Sequence, residues 1–195
     1  MRDDSNQGPK VDIVAIGASA GGVDAISSLL ELLPADLPAA VVVVLHRPAG
    51  RVSALPEILG RKSHLRVVIP ESGEAPRRGT CYVGPPDRHL VMAPNGRWQY
   101  LVDHQYRGRN IDELFCSLAR YAGGRTIAVI LTGLLDDGSA GLAAIKEAGG
   151  LALVQSPEQA AYPDMPRNAI RHDGLIDFVG PIHALAEKLK QLVRP

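Results

Sequence analysis

After the apolar run VDIVAI, from Val11 to Ile16, the chain reads Gly17-Ala18-Ser19-Ala20-Gly21, a Gly-x-Ser-x-Gly spelling. A serine hydroxyl is a weak nucleophile at neutral pH unless a base accepts its proton. That base in turn needs a carboxylate to fix its tautomer and stabilise its cation. Two later apolar runs end beside such groups: AVVVVL stops at His46, and TIAVIL is followed by TGLLDDGSAG, which contains Asp136 and Asp137. In an open parallel sheet the carboxyl ends of the strands line one crevice, so three groups far apart in sequence can meet there. The helix expected from Val23 would bring the N–H groups of Ala20, Gly21 and Gly22 to the same place, where they favour developing negative charge. Gly133 and Leu134 offer a second source of such donors beside the aspartates.

A glycine turn after a first strand can also cradle phosphate. The dinucleotide fingerprint requires Gly-x-Gly-x-x-Gly and an acidic residue about 20 positions on. Here Ser19 occupies the middle glycine and the second strand ends in Leu45 and His46. Arg47 leaves a 2′-phosphate conceivable, but no tyrosine has a lysine four residues later, and no Gly-Lys-Ser/Thr follows the turn. The chain order Ser, His, Asp differs from the Ser, Asp, His of α/β-hydrolases, whose elbow lies deeper in the sheet. Each residue also has a plain reading: Ser19 as a helix N-cap, His46 as a strand-end residue, Asp136 as a cap of the next helix.

These residues need a scaffold. VDIVAI, AAVVVVL, LRVVIP, TIAVIL and LALVQ read as strands, and the unalternating apolar ones as strands covered on both faces. Helical spacing appears from Val23 to Leu33, from Ser53 to Leu59, from Ile111 in IDELFCSLARYA, in LAAIKEA and in IHALAEKLKQLV, with Gly123, Gly124 and Gly149 as terminators. The middle, TCYVGP, HLVMAP and RWQYLV, reads as an antiparallel insertion at a sheet edge, with Asn95-Gly96 as a type I′ turn. The fold class is α/β: a doubly wound, mainly parallel sheet with helices on both faces and an antiparallel hairpin near one edge.

Composition narrows the function further. The 195 residues suit one domain, residues 11–195, behind a polar tail of residues 1–10. Lys plus Arg and Asp plus Glu are 21 each, which removes the electrostatic drive toward nucleic acid or an anionic membrane. The tail lacks the apolar core of a signal peptide and no later run approaches the ~20 residues of a membrane span, so a soluble cytoplasmic protein is expected. Cys81 and Cys116, without CxxC or His-rich context, read as small buried hydrophobes, and no metal or cofactor is expected. His64, His89, His104, His172 and His183 are not assigned as ligands. Trp98 and Tyr100 are expected to pack on the hairpin. Arg47, Arg51, Arg107 and Arg109 are candidates for a basic rim.

IGASAGG, LHRPAG and ILTGLLDDGSAG together resemble the three signature blocks of the CheB-type chemotaxis protein-glutamate methylesterase domain, and YVGPPDRHL and RNIDELF resemble its intervening segments. The resemblance places the nucleophile on Ser19, the base on His46 and the orienting carboxylate on Asp137. It implies hydrolysis of glutamyl methyl esters on chemoreceptor signalling helices, with deamidation of glutamines at equivalent sites. Ala20, Leu45, Arg47 and Leu134 depart from residues frequent in the family. No segment here suits the family's receiver domain, so the expectation is a stand-alone catalytic domain, unregulated or controlled by a separate response-regulator chain. The rival reading is a scaffold of the same fold that holds receptors without turnover.

Overall fold

AAVVVVL has no polar alternation, and all seven of its residues are buried, because this strand is covered on both faces. The structure is a computed structural model that describes residues 12–46, 54–101, 109–172 and 176–193. Strands β1 (Asp12–Ala18), β2 (Ala39–Leu45), β3 (Arg66–Val68), β4 (Thr80–Val83), β7 (Thr126–Ile130), β8 (Leu151–Gln155) and β9 (Phe178–Gly180) form one sheet in the order β3-β4-β2-β1-β7-β8-β9. Every pairing in it is parallel. Strands β5 (His89–Met92) and β6 (Trp98–Leu101) pair antiparallel as a separate ribbon.

Alternate residues of each strand feed two cores. On one face Val14, Ile16, Val41, Val43 and Val129 meet α1 (Gly22–Glu31), α2 (Leu55–Gly60) and α6 (Ile182–Leu192) through Ile26, Leu29, Leu59, Leu185 and Leu189. On the other, Ile13, Ala15, Val42 and Ile130 meet α3 (Asn110–Tyr121), α4 (Ser139–Glu147), α5 (Asp164–Arg171) and the ribbon. The predicted doubly wound sheet is therefore the observed one. The chain leaves β1 toward β2 on one side and reaches β7 on the other, which makes the end of β1 the topological switch point where crevices form.

The middle of the chain differs from its sequence reading. TCYV is β4, a parallel strand between β3 and β2, so only HLVM and WQYL form the antiparallel pair. Its turn is not type I′. Ala93 N–H donates to the Arg97 carbonyl and Gly96 N–H to the Ala93 carbonyl, and only Gly96 has positive φ, at 70°. Pro94 presets the first central position of a type I turn, and Gly96 supplies the left-handed residue that closes a three-residue loop. Trp98 is buried against Tyr82, with ring centroids 5.3 Å apart, while Tyr100 lies under the Arg88 guanidinium at 4.8 Å. Helix α5 and strand β9 were not anticipated. The short tail expected at residues 1–10 lies outside the described residues.

One cysteine expectation fails. Cys81 is fully buried in β4, but Cys116 is exposed, because Ile111, Leu114, Phe115 and Leu118 form the inward stripe of α3 and position 116 falls off it. Burial pushes the Cys81 thiol up to about 12. A thiol-exchange reagent at pH 8 is expected to titrate one thiol per native chain and the second only in denaturant; two thiols reacting in native protein would contradict this packing.

Candidate active site

Ser19 begins the turn that leaves β1. Its N–H donates to the Thr132 carbonyl at 3.0 Å, tying the end of β1 to the end of β7. Its carbonyl accepts from Gly22 N–H at 2.9 Å, and Gly21, with φ 71°, turns the chain into α1. The N–H groups of Ala20 and Gly21 find no acceptor among the described residues. They are donors left over at a helix start.

His46 stands one residue beyond β2. The β1–β2 register pairs Ala18 with Leu45, and His46 N–H reaches the Ala18 carbonyl at 3.4 Å, so Ser19 and His46 follow each other on neighbouring parallel strands. Both line one cleft of about 350 Å³, together with Gly21, Gly22, Val23, Asp24 and Leu45, and with Ala54, Leu55 and Ile58 at α2. Apart from Asp24 its side walls beyond Ser19 and His46 are apolar.

Asp137 approaches from the loop after β7. Its Oδ2 lies 2.6 Å from His46 Nε2. The carboxylate is 4% exposed and the imidazole 26%. Asp137 Oδ2 also accepts Ile111 N–H and its Oδ1 accepts Asp112 N–H, each at 3.0 Å. The buried charge is thus held by two donors at the start of α3, where the helix dipole favours an anion. Asp112 returns the arrangement: its Oδ1 accepts Gly138 N–H at 3.0 Å and Gly141 N–H at 2.7 Å at the start of α4. Its Oδ2 takes Arg109 Nη1 at 2.9 Å, and Arg109 Nη2 lies 3.5 Å from Asp136 Oδ2. Burial raises the Asp112 carboxyl above the usual range, opposed by the Gly141 N–H and assisted by the nearby Asp137. The hydrogen bond to Asp112 raises the Arg109 guanidinium in turn.

With this geometry in hand, the comparisons with known proteins are specific. The sequence profile described as CheB methylesterase matches residues 14–189. This chain belongs to the CheB methylesterase family. It is 37% identical over 191 residues to a protein-glutamate methylesterase/protein-glutamine glutaminase of Geobacillus kaustophilus, covering 95% of this chain and 54% of that protein. A second such protein, of Methanosarcina mazei, is 34% identical over 192 residues, covering 94% of this chain and 52% of its own length. The chain spans about half the length of the curated relatives it matches. The crystal structure of the Thermotoga maritima CheB methylesterase catalytic domain superposes with a TM-score of 0.86 at 34% identity, covering 94% of this chain and 100% of that one.

The CheB fold brings Ser19, His46, Gly21 and Gly22 to one cleft and Asp137 onto His46. Of the second group of expected donors, Leu134 N–H has no acceptor among the described residues, as with Ala20 and Gly21, but Gly133 N–H does. Gly133 N–H is committed to the Tyr162 carbonyl at 2.9 Å, and Gly22 N–H to Ser19, so neither is free for an oxyanion. Gly133 matters instead for space: a Cβ there would lie 2.0 Å from Met165 Sδ and 2.9 Å from Ser19 Cβ. Leu134 and Leu135 are exposed, and Leu135 is the one non-glycine residue with positive φ among those described, at 67°, its carbonyl taken by Asn168 Nδ2. Asp136 does not cap α4 with its side chain, which pairs with Arg109; Asp112 does the capping. Among the described residues no cluster of His, Cys, Asp and Glu suits a metal. Arg47, Arg51, Arg107 and His104 lie outside the described residues.

Sequence reasoning missed Asp112, Thr132 and Gln155, and gave Arg109 only to a basic rim, whereas its guanidinium pairs with Asp112 and Asp136. Thr132 Oγ1 donates to the Ala20 carbonyl at 3.1 Å, and buried Gln155 accepts Thr132 N–H at 2.9 Å, so both brace the Ser19 turn. Within RNIDELF, Asp112 looks like an ordinary first-turn acid, and no local spacing says that it caps a different helix. Gly138, between Asp137 and Ser139, has φ 97°, and a Cβ there would meet Ile130 Cδ1 at 2.4 Å. Gly138→Ala is expected to lower the unfolding free energy by about 2–4 kcal/mol, from left-handed strain plus overpacking, as read by urea denaturation. A loss below about 0.5 kcal/mol would contradict the close packing under Asp137.

Proposed function

We propose that this chain is the catalytic domain, residues 11–195, of a protein-glutamate methylesterase, and that Ser19, His46 and Asp137 form its catalytic triad. The observation that carries this reading is the 2.6 Å contact of His46 with buried Asp137, made at the edge of the cleft that also holds Ser19. With Nε2 turned to Asp137, the ring nitrogen left to take the serine proton is Nδ1.

The chemistry follows the acyl-enzyme route. Ser19 Oγ attacks the ester carbonyl carbon as His46 accepts its proton. The carbonyl oxygen becomes an oxyanion, received by the free N–H groups of Ala20 and Gly21; each such donor is worth about 2.7–4 kcal/mol in related sites. His46 then protonates the departing methoxide, and methanol leaves an ester of Ser19. Water, deprotonated by His46, attacks that ester and returns the free serine and a glutamate carboxylate. A glutamine side chain fits the same sequence with ammonia as the leaving group, as the relatives' double name suggests. Leu45, Leu55 and Ile58 supply an apolar wall suited to the ester methyl and the glutamyl stem. The substrates on this reading are chemotaxis receptors, acted on from the cytoplasm. No helix of the described residues is long and apolar enough to cross a membrane.

Ser19→Ala is expected to lower methanol release from purified methylated receptor fragments by ~10³-fold or more, with free carboxylate falling in parallel. Methanol release at the wild-type rate in the variant would end the triad assignment. Receptor binding by wild-type protein without turnover would favour the scaffold instead.

A further inference from the structure

We propose that Asp112, clamped by Arg109, is the positioning residue of this site: it fixes the loop that presents Asp137 to His46. The proposal rests on the triad reading above, and on an exchange of caps between two helices. Asp137 precedes α4 but its carboxylate caps α3; Asp112 belongs to α3 but its carboxylate caps α4. Neither N-cap residue, Arg109 or Gly138, caps its own helix through a side chain. Each helix start is therefore satisfied only while the other stays in place.

The clamp encloses Asp137 along the chain. The residue after it, Gly138, is held by Asp112 Oδ1, and the side chain of the residue before it, Asp136, is paired with Arg109, which also grips Asp112 Oδ2. The Asp112 side chain is 9% exposed, whereas the Arg109 side chain is 54% exposed. The buried partner is thus an acceptor of two backbone donors, and the outer one is a charge that can be altered without opening a cavity. Among the hydrogen bonds and ion pairs of the described residues none joins Asp112 to His46, so Asp112 acts through Asp137.

A structural brace and an electrostatic one can be told apart by sign. Among the described residues the charged groups around His46 are Asp137 from the loop before α4 and Asp24 from α1; behind Asp137 stand Asp112 and Arg109 of the α3 start, and Asp136. Asp112→Asn keeps an oxygen for the Gly138 and Gly141 donors but removes one negative charge, which makes the imidazolium less favourable. Arg109→Gln removes a positive charge and does the opposite. With a peptide bearing a glutamate γ-methyl ester, the acid limb of the kcat/KM profile is expected to move to lower pH by about 0.5 in Asp112→Asn and to higher pH by a similar amount in Arg109→Gln. Plateau kcat in Asp112→Asn falls by only about threefold, but in Asp112→Ala, which loses the acceptor, by 10- to 10²-fold on the order-of-magnitude scale of misplaced catalytic groups, with KM little changed.

Limbs that stay in place, or move the same way in both charge variants, would overturn the proposal, as would a wild-type plateau in Asp112→Ala. If Asp112→Ala does not fold, the two charge variants still decide. NMR titration of the His46 ring in the same variants on a Ser19→Ala background separates this proposal from the triad reading. Opposite displacements of that titration in a protein whose wild type releases no methanol would sink the triad and keep the Asp112 unit; absent displacements with normal wild-type hydrolysis would do the reverse.

Discussion

A buried carboxylate is costly unless donors surround it, and Asp137 is the place where this CheB fold meets that constraint. Its two oxygens receive two N–H groups of α3 and the imidazole of His46. To supply those donors, α3 must begin directly beneath the β7–α4 loop, and α3 and α4 must pack closely along their first turns. Removing a Cβ at position 138 and at position 141, where one would lie 2.5 Å from Phe115 Cβ, is what allows that approach. The location of the carboxylate thus dictates packing well beyond the cleft.

The Ser19 side of the cleft obeys a different constraint. Ser19 follows the central strand directly, and its turn is tied to the end of β7 through Thr132, itself held by buried Gln155 of β8. Three neighbouring strands therefore hold one turn, and the Ala20 and Gly21 N–H groups, without an acceptor among the described residues, remain where the helix dipole begins. The wall opposite is apolar, from Leu45, Leu55 and Ile58. An electrostatic interaction formed against such a wall is screened less than in water, which is where fixed donors have most effect.

The strands were legible because their runs are β-branched and unalternating, and the helices because their apolar residues recur at helical spacing. Gly123 and Gly149 carry the positive φ their positions suggested. TCYV was misplaced because four buried residues carry no mark of parallel or antiparallel pairing. The Asn95-Gly96 turn was misread because Pro94 fixes the preceding φ and selects a three-residue loop. Cys116 was misread because free cysteine is usually buried, although the helical stripe runs past it.

Ser19, His46 and one of the pair Asp136 and Asp137 could be proposed from sequence since each follows a recognisable strand, and parallel strands deliver their ends to one edge; the choice of Asp137 came from the family resemblance. Glycine at 21 and 138 likewise follows from backbone conformations that other residues adopt only with strain. Which backbone donors stay free, that Gly133 serves space and not an oxyanion, and that Asp112 caps a helix other than its own were decided only by tertiary structure. The physical reason is that hydrogen-bond satisfaction depends on which chain ends face each other across the sheet, and local residue preferences carry no record of that pairing.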